Sequence, residues 1–479
     1  MHRAKIFGTS LEAYSSVTSA QHRLNCYIET RPDGDKSPII IKGTPGSLLW
    51  TTLGSLPVRG WRVVGNYLYV ASGSALYKLD SSGTSTYIGL ITPGTGPVVM
   101  EDNGVHLILV DGTYGWTYTL GSGAYAKITD SNFPAGPTSV SFLNGRFQVN
   151  KPSSRQFYVS QSYDGTLWTP VIYATKENSS DELVSVSVEN GYLTLWGATS
   201  IEVWQDVGNS LIPYQRISSA TQPWGLAAFG SRVSLNQGAV FLGTSQEGGT
   251  SVVLLNGSTS KVVSTPDIDN MLTQLVDAGT TISDATALTY VVDGHTMYQI
   301  TFPTANKSIL LDMTTGIWSE VQTGLALGSR HYAQYSVVFN KLTYISDYSN
   351  GNIYQLSTST FTDNGGYIKR SVTSMHLHHE GNNFAIDSLW LDMDTGYGLQ
   401  TGQGVSPVIR LEVSKDNGRT FGLSRPVSFG MTGQYLSPRA IWACLGSARD
   451  FVFRFTVTDP VKFCIVAASI WSRDMEDAS

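Results

Sequence analysis

VSVSVENGYLTLWGATSIEVW, Val184 to Trp204, is the stretch from which the rest of the chain can be read. Val184, Val186 and Val188 alternate with Ser185 and Ser187, which predicts a strand with one buried face. Asn190-Gly191 follows. Both residues tolerate positive φ, so a two-residue hairpin turn is expected. Tyr192, Leu193, Leu195 and Trp196 make the return strand. Gly197 to Ser200 turns the chain again, and Ile201, Val203 and Trp204 make a third strand.

From Leu53 onward this unit recurs, with turns at Gly65-Asn66, Asn103-Gly104, Asn144-Gly145, Asn190-Gly191, Gln237-Gly238, Asp293-Gly294 and Asn340-Lys341. The steps between them are 37, 41, 46, 47, 56 and 47 residues. A drifting period of about 45 suits the four-stranded blades of a β-propeller, which bury both faces only by stacking. An apolar strand follows every turn, from YLYVA in the first unit to LTYIS in the last. About seven blades are expected, or six if one unit belongs to a flanking domain. The longest step holds Ile268, Met271, Leu272, Leu275 and Val276 at helical spacing, with Pro266 and Asp267 suited to a first turn. A short helical insertion near 267–278 is expected on the propeller rim.

The whole chain therefore reads as all-β. Residues 1–50 are an extended arm that pairs with other elements, with turn signals at Pro32-Asp33-Gly34 and Thr44-Pro45-Gly46. Residues 51–365 are the propeller. After Asn364-Gly365-Gly366 the pattern changes, and several strands between Tyr367 and Trp471 predict a C-terminal β-sandwich over 366–479.

Composition narrows the function classes. Of 479 residues, 41% are hydrophobic and 11% aromatic, enough for large cores, and such a length implies two or three domains. Only 14% are charged, against about a quarter in ordinary globular proteins. That fits a chain that hides much of its surface in an assembly. The net charge is −6 and no tract is rich in Lys or Arg, which argues against a dedicated DNA-binding surface. No apolar run reaches 18 residues, so no membrane anchor is expected. The first residues lack the apolar core of a signal peptide, and folding in a cytoplasm is expected. Cys26, Cys444 and Cys464 give no disulfide framework. Cys444 and Cys464 could lie on neighbouring strands, and two buried thiols are the simpler expectation.

Four constellations deserve weighing. Ser414 to Phe421, SKDNGRTF, fits the Asp-box pattern S-x-D-x-G-x-T-[FW], and Ser162 to Trp168 is a looser copy. There the Asp accepts backbone N–H bonds, the Gly takes positive φ and the aromatic ring plugs the base, so both read as turn braces. His376, His378, His379 and Glu380 form HLHHE. His376 and His378 share a strand face as a metal pair would, but no second cluster completes a site, and a polar strand edge is expected. Asp392 and Asp394 flank Met393 without a nucleophile or acid–base partner, and read as solvated groups at a strand end. No GxSxG, HExxH, P-loop or dinucleotide fingerprint is present, so no catalytic, cofactor or metal residue is assigned.

The two ends of the chain carry a resemblance. NCYIETRPDGDKSPIIIKGTPGSL (Asn25 to Leu48) has the form N-x-Y-x-E, a polar gap, and an aliphatic strand closing on T-P-G. RAIWACLGSARDFVFRFTVTDPVKFCIVAASIW (Arg439 to Trp471) has W-x-x-L-G-x-A-R-D-x-V-F-R-F. With the segment Asp293 to Glu320, these resemble the packaged-DNA stabilisation proteins of short-tailed bacteriophages, also called tail hub or nozzle proteins. The resemblance implies no enzyme activity and no cofactor. It implies a ring of this chain, usually six copies, below the portal and its adaptor. That ring closes the filled head, carries tailspikes or fibres, and holds a plug or needle, while DNA passes without sequence-specific binding. No contact residue transfers by motif. The arm and the inserted helix are the expected adaptor-facing and neighbour-facing parts. The alternative is a sialidase-like propeller glycosidase or carbohydrate-binding protein, which needs clustered arginines and a Tyr–Glu pair. A generic propeller scaffold is a third reading.

Overall fold

Seven blades follow one another around an axis, one for each expected hairpin turn; the fifth has five strands, because Trp224–Leu226 and Val233–Leu235 both pair with Gly238–Ser245. In this computed structural model, residues 2–4, 6–13, 15–32, 37–209, 212–379, 381–435 and 440–474 are described. Asp33, Gly34, Glu380 and Arg439, used in the sequence reading, lie outside the described residues.

The first blade runs Val58–Val64, Tyr67–Ser72, Ala75–Leu79 and Ser85–Leu90 in that order across the sheet. The others begin at Val99, Val140, Leu183, Trp224, Thr286 and Ala333. The count is seven, and the six-bladed option falls away. Asn144, Asn190 and Asp293 have φ near 50° and are each followed by a glycine with φ above 80°, as a type I′ hairpin requires. Asn340-Lys341 adopts the same shape without a glycine, at φ 49° and 64°. One turn sits a residue earlier than expected. Leu235 pairs with Gly238, so the loop is Asn236-Gln237. Gly238 is instead the place of closest approach, where a Cβ would lie 1.9 Å from the Leu255 carbonyl oxygen.

Stacking explains why the second strands are apolar without alternation. Leu68 and Val70 enter the cluster shared with the seventh blade, while Tyr69 and Ala71 enter the one shared with the second. Every gap between neighbouring blades has such a cluster, including the gap between last and first, where Leu53, Val58, Phe339 and Ile353 meet. The expected one-sided burial of Val184 to Val188 fails for this reason. Ser185 and Ser187 are buried while Val184 and Val188 are only half-buried, because an innermost strand faces a blade on both sides. Ser187 Oγ accepts from Trp196 Nε1 at 2.8 Å, and the Trp196 ring meets Phe241 edge-on at 4.9 Å. Trp196→Phe should lower stability by about 2 kcal/mol, part lost hydrogen bond and part cavity. A urea midpoint unchanged from wild type would contradict this packing.

The helix Pro266–Asp277 lies between the fifth and sixth blades, with Ile268 and Leu272 buried and Met271 and Leu275 partly so. Val276, expected on the apolar stripe, is exposed.

The first fifty residues do not stand apart. Gly46–Thr52 is the outer strand of the seventh blade, antiparallel to Asn352–Ser357, so chain start and propeller end close the ring together. Cys26–Thr30 and Ile39–Gly43 join one sandwich sheet with Cys464–Asp474, Phe384–Met393 and Ala440–Ala448. The facing sheet contains Arg370–Thr373, Asp450–Val457, Val408–Ser414 and Arg425–Ser428. Leu24 pairs with Glu320 on one side and Ser371 on the other, making that sheet continuous with the sixth blade. The sandwich core takes Phe384, Leu389, Ile409, Leu411, Phe453 and Phe455 from the C-terminal part, and Ile6, Phe7, Ile28 and Ile41 from the N-terminal part.

Candidate functional site

In a propeller the axis is the first place to look for chemistry, because the first strands of all blades converge there. Strand Val58–Val64 lies against Val99–Asp102 on one side and Ala333–Phe339 on the other. Arg62 of the first blade donates through Nε to Asp102 at 3.0 Å and through Nη1 to Glu101 at 3.1 Å, both on the second blade. On the far side, Glu189 is buried and accepts from Arg232 at 2.7 Å, Ser234 at 2.9 Å and Ser187 at 2.8 Å. Arg232, three blades round, adds a small downward pull on the pKa of Glu101.

Burial dominates at Glu101 and pushes its carboxyl up to about 7 against the pull of Arg62, although 21% of the side chain is exposed. Between pH 4.5 and 7 the unfolded chain loses this proton and the folded protein keeps it. The group's contribution is therefore fullest below 4.5 and is lost as pH rises through 7. Glu101→Gln should flatten this limb by about 2–3 kcal/mol. Urea midpoints at pH 4.5 and 8 measure it, and an identical slope in both proteins would refute the assignment.

The axial arginines are each held by carboxylates, unlike the open arginine cluster that a carboxylate sugar requires. Two buried arginines, Arg59 and Arg23, bind carbonyls instead. Arg59 donates to Gly73, Thr92 and Gly96, and Arg23 to Gly8, Thr9, Ser10 and Trp318. Sequence reading passed over both, and an arginine among apolar neighbours was the available signal.

The weighed constellations fall apart in space. Asp416 accepts the Thr420 backbone N–H at 2.9 Å and hydroxyls of Thr420 and Ser414, which hold its pKa down to about 2, and Gly418 has φ 79°. Phe421 lies under the Arg454 guanidinium at 3.9 Å. In the looser copy Asp164 accepts from Thr166 N at 2.8 Å and Trp168 is buried. Asp111, Asp312 and Asp347 brace other turns in the same way, a use of Asp that the two boxes only hinted at. His376 bonds the Asp450 carboxylate at 2.5 Å and the Ser16 carbonyl at 2.7 Å, while His378 is exposed. It clasps the N-terminal segment to the sandwich. Asp394 pairs with Lys462 at 2.7 Å. Cys444 is exposed on a bulge at φ 56°, not buried as expected. The strand Phe384–Met393 lies between it and the strand of Cys464, so the two are not neighbours.

Two surface features suit assembly. Tyr67, Val105, Tyr192, Val291 and Val338 stand exposed at hairpin tips around one face of the propeller, Val291 by 64%. The outer strands of blades two, four and five carry Lys127, Arg216 or Lys261, residues that discourage edge pairing. Ser85–Leu90 of the first blade has none and exposes Tyr87 and Leu90. Among the described residues, no helix is long and apolar enough to cross a membrane.

Comparison with known families gives two matches. The phage stabilisation model described as bacteriophage P22 Gp10, beta-propeller, matches residues 51–361, and bacteriophage P22 Gp10, beta-sandwich, matches residues 369–472. No curated protein matches the sequence. Among solved structures, the extracellular domain of a putative hybrid two-component system from B. thetaiotaomicron is similar at TM-score 0.44 and 8% identity. That match covers 65% of this chain and 39% of that one. The computationally designed Ika8 protein is similar at TM-score 0.38 and 8% identity, over 64% of this chain and 99% of that chain.

Proposed function

The chain belongs to the bacteriophage P22 Gp10 family of phage tail structural proteins, and from that premise we propose that it closes the DNA-filled head as one subunit of a ring. The ring is six-fold, sits beneath the portal and its adaptor, carries tailspikes or fibres, and holds the plug until ejection. The protein acts in the virion as a structural part and catalyses no reaction. The match to both the propeller and the sandwich, in order, carries this reading.

On this reading DNA runs through the lumen of the ring of subunits. A lumen rich in free Lys and Arg would bind phosphates and stall passage. The chain has 31 Lys and Arg against 37 Asp and Glu, a net charge of −6. The exposed hairpin tips and the unguarded edge of the first blade offer the two unlike patches that a head-to-tail ring needs.

Particles lacking the protein should fill with DNA and then leak it, and normal retention would overturn the head-closing role. The free protein should leave duplex DNA unshifted in a gel at physiological salt. Tight, saturable binding there would contradict a non-sticking lumen.

A further inference from the structure

The outer strand of a propeller blade carries a row of N–H and C=O groups without partners, and folded chains cover or guard such edges. Two edges here are covered by the chain itself. Leu24 pairs with Glu320 beside the sixth blade, and Asp363 pairs with Ser47 beside the seventh. Lys127, Arg216 and Lys261 guard the edges of the second, fourth and fifth blades. Ser85–Leu90 of the first blade, STYIGL, has no charged residue and no proline.

Bonded and open pairs alternate along an antiparallel ladder. The Asp80 N–H donates to the Thr84 carbonyl at 3.1 Å, and Thr86 lies opposite Lys78. The main-chain groups of Thr84 and Thr86 therefore face the blade, and those of Ser85 and Tyr87, opposite Leu79 and Tyr77, face outward. The second blade caps the far end of the strand. Tyr125 donates to the Leu90 carbonyl at 3.0 Å, and a Cβ on Gly89 would lie 2.3 Å from the Tyr125 ring. At the near end Thr51 of the seventh blade donates to the Gly83 carbonyl at 2.9 Å. Between these caps the N–H and C=O groups of Ser85 and Tyr87 stay open. The Tyr87 side chain is 55% exposed beside them, and Leu48 and Leu49 are exposed on the outer strand of the seventh blade.

We propose that this edge is completed by an extended, uncharged segment of another protein, which adds to the first blade as a fifth strand. The proposal rests on the ring reading above. There the hairpin tips of one copy meet the first blade of the next. A tip is a turn whose main-chain groups are paired within its own hairpin, so it can cover Tyr87 and Leu90 but cannot continue a ladder. Pairing this edge with the same edge of a second copy gives a two-fold pair and not a ring. An extended segment supplies donors and acceptors at the right spacing, while Tyr87 and the two leucines select apolar side chains. The segment lies at the boundary between two copies and locks them together.

Hydrogen exchange of the full chain, free and in the assembled phage tail, tests this. The Ser85 and Tyr87 amides should exchange readily in the free chain and slow by about a hundredfold in the tail. Tyr87→Pro removes one outward N–H and no bond within the blade, and Tyr87→Lys guards the edge without touching the main chain. Tails built with either variant should keep this chain and lose the protein that supplies the strand, read by mass spectrometry of purified particles. Amides that exchange as fast in the tail as in the free chain would overturn the proposal, and so would a full set of tail proteins in both variants. Protection that already appears in the concentrated free chain would mean that copies pair with one another, and would overturn the choice of partner. Absence of the chain from the particles would refute the tail reading itself, and this proposal with it.

Discussion

A chain shortened to begin at Leu53 is expected to lose its native state and to show no cooperative melting transition. The deletion removes the outer strand of the seventh blade, Gly46–Thr52, which pairs with Asn352–Ser357 and holds the last blade beside the first. It also removes three strands of one sandwich sheet, His2–Ala4, Cys26–Thr30 and Ile39–Gly43, and the buried side chains of Ile6, Phe7, Cys26, Ile28 and Ile41. Tyr27, packed in the cluster between the sixth and seventh blades, goes with them. A propeller has no free interior edge to absorb such a loss, since each inter-blade cluster depends on its neighbour being in place. Circular dichroism and calorimetry of the shortened chain would decide, and a cooperative transition near the wild-type temperature would show that the closure is dispensable.

A smaller deletion, of residues 1–24, looks from the sequence like the loss of an arm needed only for docking. Ile6, Phe7, Ala20, Arg23 and Leu24 are all buried in the structure, so the same deletion should destabilise the sandwich as well. A docking defect in that variant has to be read beside its melting curve.

Arg23→Met should cost about 4 kcal/mol, because hydrogen bonds to a charged group are each worth more than neutral ones and their buried partners are left unpaired. Nη1 donates to Gly8 and Ser10, and Nη2 to Thr9 and Trp318. One side chain thereby ties the N-terminal segment to the outer strand of the sixth blade. Arg23→Lys keeps the charge but cannot span four carbonyls, and should recover only a minor part of the loss. Denaturant midpoints of the three proteins measure this. A loss below about 1 kcal/mol in Arg23→Met would mean that the segment is held mainly by Ile6 and Phe7.

The blades, the sandwich strands and the inserted helix are legible in the sequence, because their signals lie in neighbouring residues. A positive φ at Asn190-Gly191, an apolar run such as YLYVA and the stripe from Ile268 to Leu275 need no distant partner to be read. The turn-bracing role of Asp416 was legible for the same reason, since its acceptor bonds close within four residues. Which segment closes the ring, which serines are buried, where Cys444 faces, and the three different surroundings of Arg23, Arg62 and Arg370 follow from contacts between segments remote in sequence. Arg23 meets Trp318 across 295 positions, and the Thr44 carbonyl reaches Arg370 across 326. No local pattern encodes such pairings. They exist because stacked blades and a shared sheet bring remote backbone groups into one buried place, where each must find a partner or remain unpaired.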